Sequence, residues 1–318
     1  MTAKLTEAAR GVYIIAATPF TDDGALDLQS VDTLTDFYLG CGVHGFTLLG
    51  MMGEAHKLTA EESIDVVKRV IGRAGGRQVI VGVSHAGIEN VRRLAHEVMI
   101  AGAAGVMVAP PPGLKGDDGI YNYYAQVFAA LGSDVPVVYQ DYPQATGVYL
   151  PAPVFERLVD DFRQLVMLKH EDAPGLAKLS RIREGEKKPG RRRVSILVGN
   201  GGLYYPQELR RGADGAMTGF AWPEMLVEVY DLFAAGKAEE AEDLFDIYLP
   251  LVRHEVQPGI GLGLRKEVLF RRGAIASPKQ RAPGSSLTAA DRTELDSLIA
   301  RLERRLVAAG RGRKAAAE

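Results

Sequence analysis

Short apolar runs alternate with longer segments of helical periodicity along the first two thirds of the chain. These runs are near-continuously apolar rather than alternating, as expected for parallel strands that are covered by helices. They lie at 11–18, 45–48, 78–84, 105–109, 136–140, 164–169, 194–199 and 215–219. The pattern therefore predicts eight β-strands.

The segments between these runs predict helices with one buried face. At 30–40, 60–74, 89–101 and 119–131, apolar residues recur near every third or fourth position. Eight strand–helix units close naturally into a barrel, and we predict an α/β fold, a (β/α)8 TIM barrel, for residues 1–222. An open doubly wound sheet is the alternative. Its glycine-rich phosphate-binding fingerprint is missing from the first strand-to-helix turn, 18–24.

Beyond residue 222 the strand pattern ceases. Three helical patterns follow, at roughly 223–256, 262–272 and 288–308. We therefore predict that residues 223–318 contain the last barrel helix and a C-terminal helical bundle. The last residues, 310–318, are small and charged and are expected to fray.

The charge balance favours a small-molecule partner. The 318 residues include 38 Lys and Arg against 40 Asp and Glu, a net charge of -2, so nothing draws the chain to nucleic acid or to an anionic membrane. The segment 184–193 is basic, but in a barrel it would be a solvated loop at the N-terminal face, away from the chemistry.

The cysteine count and the N-terminal sequence indicate where the protein is located in the cell. A single cysteine, Cys41, excludes an internal disulfide, and with only six His it argues against a metal site. The first apolar run stops at Thr18 and Pro19, too short for a membrane span and without a cleavage site. We expect a cytoplasmic protein without a membrane anchor.

Lys169 is the main candidate for chemistry. Active sites of these barrels lie at the C-terminal ends of the strands, and Lys169 closes the apolar run 164–169. Burial disfavours the ammonium form of a lysine, and the neutral amine attacks carbonyls to form a Schiff base. A salt-bridged structural lysine is the alternative. Glu171, two residues on, can share the same side of the strand and move protons, whereas His170 would face away and pack.

Two glycine turns are candidates for substrate binding. Both lie at the mouth of the predicted barrel, the face formed by the C-terminal ends of the strands. Gly50, Met51 and Met52 follow the second strand, and Gly199 with Asn200 follows the seventh. Backbone N–H groups in such turns can hold a carboxylate. Each alone could be a plain strand-to-helix turn, but both together with Lys169 favour a pocket for a small 2-keto acid.

Four motifs resemble one superfamily in order and spacing. Thr18-Pro19-Phe20, the turn 50–54, the segment 143–147 and Lys169 are similar to the dihydrodipicolinate synthase and N-acetylneuraminate lyase superfamily. The resemblance covers essentially the whole chain. It implies a barrel with a C-terminal helical bundle, a homotetramer built as a dimer of dimers, and an imine between Lys169 and pyruvate or a longer 2-keto acid, without another cofactor. The backbone of Met51 and Met52 would hold the keto acid's carboxylate.

The chain departs from dihydrodipicolinate synthases at polar positions. Met51 and Met52 replace two threonines of the hydroxyl relay, and Gln140 replaces its tyrosine. The arginine that binds the aldehyde substrate falls at Ala145, and the tyrosine of the partner subunit falls within 109–112. These losses argue against a role in lysine biosynthesis.

Other segments are more similar to the 2-keto-3-deoxy-sugar-acid dehydratases of the same superfamily. They are 138–143, 169–171, 215–219 and 249–255. The resemblance implies a lyase that forms the imine and then eliminates water. The open alternatives are a pyruvate-dependent aldolase, a 4-hydroxy-tetrahydrodipicolinate synthase and a non-catalytic metabolite-binding barrel, which would gain nothing from a reactive amine.

We predict two groups of site residues. The catalytic group is Lys169, Glu171, Tyr139 and Tyr142. The substrate-binding group is Gly50, Met51, Met52, Gln140, Gly199, Asn200 and Thr218. No metal ligand is predicted.

Overall fold

A computed structural model describes residues 3–311, so 312–318 of the tail that is predicted to fray lie outside the described residues. Eight parallel strands pair in chain order and close into a barrel. They are β1 (Gly11–Ile15), β2 (Gly45–Leu48), β3 (Gln78–Gly82), β4 (Gly105–Val108), β5 (Val137–Asp141), β6 (Leu165–His170), β7 (Ser195–Val198) and β8 (Gly215–Ala216). The predicted α/β TIM barrel is confirmed.

Helices cover the barrel and extend it at the C-terminal end. The helices up to β8 are α1 (Leu28–Gly40), α2 (Ala60–Arg73), α3 (Ile88–Ile100), α4 (Gly116–Leu131), α5 (Pro143–Thr146), α6 (Ala152–Asp161), α7 (Leu176–Glu186) and α8 (Tyr205–Arg210). After β8 come α9 (Pro223–Ala234), α10 (Ala238–Glu255), α11 (Gly261–Arg271) and α12 (Ala289–Ala308). None of the helices within residues 3–311 is long and apolar enough to cross a membrane.

Several element boundaries differ from the sequence-based prediction; the eighth strand, for example, predicted at 215–219, ends at Ala216. The first strand, predicted at 11–18, ends at Ile15. The helical pattern at 223–256 is two helices, α9 and α10, because Gly236 adopts φ 79° between them, which a right-handed helix does not accommodate. The division of the chain at residue 222 stays a prediction.

The alternation of strand side chains separates an inner core from an outer one. The outer core lies between the strands and the helices. The inner core fills the barrel and is formed by Tyr13, Ile15, Ile80, Met107, Val138, Met167, Leu197 and Met217, with Leu5, Ala104 and Val166. Along β6, Met167 belongs to the inner core and Leu168 to the outer core. Lys169 therefore points into the barrel, above Met167.

The basic segment at 184–193 forms ion pairs. It connects α7 to β7, at the face of the barrel opposite to the strands' C-terminal ends. Arg191, Arg192 and Arg193 pair with Asp160 at 2.8 Å, Glu7 at 2.6 Å and Asp214 at 2.6 Å, respectively. The arginine charges of this loop are thus matched by carboxylates of neighbouring elements.

Candidate active site

Lys169 is a buried amine at the C-terminal end of β6. Its side chain is 3% exposed, and its Nζ lies 3.0 Å from Oε2 of Glu171. Glu171 is also buried. The amine therefore has a carboxylate as its immediate neighbour and is shielded from bulk water, which strengthens electrostatic interactions at this position.

Glu171 is held on the same face as Lys169 because the strand's hydrogen bonding continues past its last residue. The N–H of Glu171 donates to the carbonyl of Asp141 at 2.9 Å, and its carbonyl accepts from Asn200 Nδ2 at 2.9 Å. Its Oε2 also accepts a hydrogen bond from Gln140 Nε2 at 2.8 Å. One carboxylate oxygen therefore lies between an amine and an amide donor.

Gly199 provides the space for the Glu171 side chain. A Cβ at position 199 would lie 2.3 Å from Cγ of Glu171 and 2.5 Å from its Oε1. Asn200 follows with φ 52°, an uncommon conformation for a residue with a side chain. This turn after β7 thus supports Glu171 with a glycine that leaves room and an amide that donates to its backbone.

Tyr142 and Tyr139 lie on different sides of β5. Tyr142 follows the strand and is half-buried; burial, and then the negative charge of Glu171, raises its pKa. Tyr139 points toward the helices, where its ring stacks on Tyr124 with the ring centres 4.2 Å apart. The structure therefore does not bring Tyr139 to Lys169. The reason is alternation: Gln140 pairs with Lys169 in register and faces inward, so its neighbour faces outward.

The turn after β2 lies over the inner core. A Cβ on Gly50 would lie 3.5 Å from Cγ2 of Ile15, and Met52 packs against the inner core. Met51 and Met52 begin a 3₁₀ turn, whose first N–H groups have no acceptor within the turn. These donors can therefore bind an anion at the mouth of the barrel.

A buried ion-pair network fixes this turn, and sequence reasoning missed it. Glu54 ends the turn with φ 55°, and its Oε1 lies 2.5 Å from Nζ of Lys266, with both side chains fully buried. Its Oε2 lies 2.8 Å from Nζ of Lys57. Burial lowers the pKa of Lys266 to about 8. No sequence signal pairs residues on a turn and on helix α11.

Thr218 is buried at the end of β8 but turns away from the interior. The backbone pairing continues beyond Ala216, since the N–H of Ile15 donates to the carbonyl of Thr218 at 2.9 Å. Met217 belongs to the inner core, so alternation directs the Thr218 side chain outward and the Gly219 position inward. The structure thus brings eight predicted residues around the amine of Lys169 or into the β2 turn, and leaves Thr218 and Tyr139 outside.

Comparison with known proteins decides the family. A sequence model of the Dihydrodipicolinate synthetase family matches residues 8–302. The chain belongs to the dihydrodipicolinate synthetase family. The predictions of this superfamily and of a lyase are confirmed.

Members of the dihydrodipicolinate synthetase family that are similar to this chain carry different names. It is 29% identical to the L-2-keto-3-deoxyarabonate dehydratase of Azospirillum brasilense, over 95% of this chain and 97% of the relative. It is 28% identical to the 4-hydroxy-tetrahydrodipicolinate synthase of Chlorobium luteolum, over 92% and 96%. A crystal structure of dihydrodipicolinate synthase from Rhodopseudomonas palustris superimposes with a TM-score of 0.92 and 51% identity, over 94% of this chain and 100% of that one.

Proposed function

We propose that this protein is a Schiff-base-forming dehydratase of a 2-keto-3-deoxy sugar acid. The observation that carries the proposal is the buried contact between Lys169 Nζ and Glu171 Oε2 at 3.0 Å. An amine and a carboxylate in contact can act as a nucleophile and as a group that accepts and returns protons, which supports the proposal. The similarity to the L-2-keto-3-deoxyarabonate dehydratase supports the same substrate class.

Imine formation uses the lysine and its carboxylate. Glu171 takes a proton from the amine of Lys169, and the neutral Nζ attacks the C2 carbonyl of the keto acid. The resulting carbinolamine hydroxyl is protonated and leaves as water, which gives the imine. Because the imine is covalent and uses only the side chain of Lys169, the proposal needs no metal and no separate cofactor.

Elimination then uses the imine as an electron sink. Glu171 removes a proton from C3, and the electrons of the C3–H bond form a C2–C3 double bond while those of the C2=N bond move onto the nitrogen, which gives an enamine. The nitrogen then returns its electrons to C2=N, and the C3–C4 double bond forms as the C4–O bond breaks. The leaving hydroxyl receives a proton and departs as water. Tyr142 is the proposed donor, because it carries a phenol proton at neutral pH and lies close enough to Glu171 for that carboxylate's charge to raise its pKa. Gln140 holds the carboxylate through its hydrogen bond to Oε2.

The turn after β2 is the proposed site for the C1 carboxylate. The free N–H groups of Met51 and Met52 supply donors, and the absence of a side chain at Gly50 lets the backbone approach the interior. Gly199 and Asn200 act through Glu171, which they position. This assignment leaves the hydroxyl groups of the substrate to other residues of the mouth.

A synthase is the second candidate, because the 51% identical chain from Rhodopseudomonas palustris is named a dihydrodipicolinate synthase. The residues at the site weigh against it. Met51, Met52 and Gln140 provide none of the hydroxyls of a threonine–tyrosine relay, and Ala145 offers no charge to an aldehyde's carboxylate. A pyruvate-releasing aldolase would use the same imine and remains the third candidate.

Product analysis tests the proposal. The protein is incubated with 2-keto-3-deoxy pentonates and hexonates, and products are identified by mass spectrometry and by an enzymatic assay for pyruvate. We expect a keto acid lighter by one water and no pyruvate. Release of pyruvate with an aldehyde would contradict dehydration and indicate an aldolase. Lys169→Ala serves as the control, because it removes the amine while the rest of the mouth is unchanged.

We also propose an oligomeric state and a cellular location for this protein. We propose a homotetramer in the cytoplasm, on the basis of the family resemblance and the single, half-buried cysteine. Light scattering coupled to size-exclusion chromatography measures the mass directly. A mass near four times 34.3 kDa is expected, and a mass near one chain would contradict the tetramer.

A further inference from the structure

Helix α11 brings a buried arginine against the end of β8. Arg265 is 3% exposed, and its Nε donates to Oε1 of Glu255 on α10. The other oxygen of Glu255 accepts from the backbone N–H of Ala221 at 3.1 Å. This ion pair therefore links α11, α10 and the segment that follows β8.

One nitrogen of Arg265 is left without a partner. Its Nη1 is buried and has no hydrogen-bond acceptor among residues 3–311. A buried N–H of a charged group without an acceptor is unfavourable, and native proteins rarely retain one without a reason. None of the steps assigned to Lys169, Glu171 or Tyr142 uses it. We therefore expect a bound ligand to supply the acceptor for Arg265 Nη1.

The unpartnered nitrogen lies on the inner side of β8. Met217 belongs to the inner core, so the side-chain direction at Gly219, two residues later, points into the barrel. A Cβ on Gly219 would lie 2.1 Å from Arg265 Nη1 and 3.0 Å from the carbonyl oxygen of Ile15. The guanidinium thus occupies the place of a side chain at position 219, at the end of the barrel where substrate binds.

We infer that Arg265 Nη1 donates a hydrogen bond to a hydroxyl oxygen of the bound keto acid beyond C4. The inference rests on the proposed function, which assigns C1 to the turn after β2 and C2 to Lys169. The remaining substrate oxygens are hydroxyls. Arg265 is then a specificity-determining residue that distinguishes a sugar acid from pyruvate.

The charge around Arg265 favours a hydroxyl over a second carboxylate. Glu255 is buried beside the guanidinium and already balances its charge. A substrate carboxylate would add a second negative charge to one buried cation, at a large desolvation cost. A hydroxyl is a neutral acceptor and fills the vacant hydrogen bond without changing the charge.

The test compares two ligands in the same variant. We measure the ligand concentration that gives half-maximal borohydride trapping at Lys169. The two ligands are pyruvate, which has no hydroxyl, and a 2-keto-3-deoxy hexonate. In Arg265→Lys, which keeps the charge but loses the planar fork, we expect the value for the sugar acid to rise about 10- to 100-fold. The value for pyruvate should stay within about twofold of wild type, by the same reasoning.

A matched arginine provides the control. Arg183 on α7 is also largely buried and pairs with Asp214 at 2.6 Å, at the opposite end of the barrel. Arg183→Lys should change neither half-saturation value. In case Arg265→Lys does not fold, Arg265→Met combined with Glu255→Gln removes both charges of the pair, and circular dichroism confirms folding before trapping.

The outcomes separate the inference from the proposed function. An equal rise for pyruvate and the sugar acid would show a structural role for Arg265 and overturn the inference. An unchanged value for the sugar acid would overturn it as well. If wild type forms no adduct at Lys169 with any keto acid, the proposed function fails first, before Arg265 is examined.

Discussion

Oε2 of Glu171 lies 3.0 Å from Nζ of Lys169 and accepts a hydrogen bond from Gln140 at 2.8 Å. Both members of the ion pair are buried, so neither can exchange its partner for water. A buried pair of this kind adds little to stability relative to apolar residues, but removal of one member leaves an uncompensated charge. The arrangement is therefore better explained by chemistry than by stability.

Glu171→Gln separates imine formation from turnover. Glutamine keeps the size and the hydrogen bonding but cannot take a proton, so turnover of a 2-keto-3-deoxy sugar acid should fall by about 100-fold or more. Trapping of the substrate on Lys169 by borohydride should be slower but should still reach completion, because water can accept the proton of the amine in place of Glu171 during a long incubation. Glu186→Gln, at the end of α7 away from the mouth, is the control and should turn over normally. Normal turnover of Glu171→Gln would show that another group moves the proton.

Gly199→Ala should impair catalysis through Glu171. Its Cβ would lie 2.3 Å from Glu171 Cγ, so the carboxylate must move away from the amine. We expect kcat to fall about tenfold or more, because general acid–base catalysis requires the carboxylate within hydrogen-bond reach. Gly72→Ala, where a Cβ on α2 meets nothing within 4 Å, should leave kcat unchanged. Equal kcat values for the two variants would refute the positional role of Gly199.

Tyr139 in β5 and Tyr142 directly after it should respond differently to loss of the hydroxyl. Tyr142→Phe removes the proposed proton donor near Glu171, and kcat should fall about tenfold or more. Tyr139→Phe removes a buried hydroxyl that has no partner among the described residues, so activity should persist. Stability should stay the same or rise by up to about 1 kcal/mol, measured by urea denaturation. Loss of activity only in Tyr139→Phe would reverse the assignment.

The residues at the site predict low dihydrodipicolinate synthase activity. Loss of a buried charged contact to the aldehyde's carboxylate typically costs about 2–5 kcal/mol, or roughly 30- to 5000-fold. Condensation of pyruvate with aspartate semialdehyde should therefore be slow, even though pyruvate forms the imine. The rate is measured beside that of an authentic synthase under the same conditions. A comparable rate would favour the name carried by the relative from Rhodopseudomonas palustris.

Local sequence patterns predicted the strands and helices and the candidate lysine, Lys169. They could not predict contacts between residues that lie far apart in the chain. Lys169 was found because an apolar strand ends on it, and alternation then placed Glu171 beside it. The same alternation could have excluded Tyr139, since its neighbour Gln140 is the register partner of Lys169. The order of the strands followed from the parallel pattern alone.

Contacts between distant segments left no trace in the sequence. Glu54, at the end of the turn after β2, pairs with Lys266 on α11, and both side chains are buried. In the sequence each looks like an ordinary surface charge. Gly199 looked like a turn residue, and only the packing of Glu171 against it explains why a side chain is absent there. Such features depend on how elements pack, which periodicity and motif spacing do not specify.

Borohydride trapping identifies the lysine that forms the imine. The protein is treated with borohydride in the presence of pyruvate or a 2-keto-3-deoxy sugar acid, digested, and mapped by mass spectrometry. We expect one reduced adduct, on the peptide that contains Lys169. In Lys169→Ala this adduct should be absent and kcat should fall by several orders of magnitude. An adduct on Lys57, Lys178 or Lys266, or no adduct with any keto acid, would contradict it.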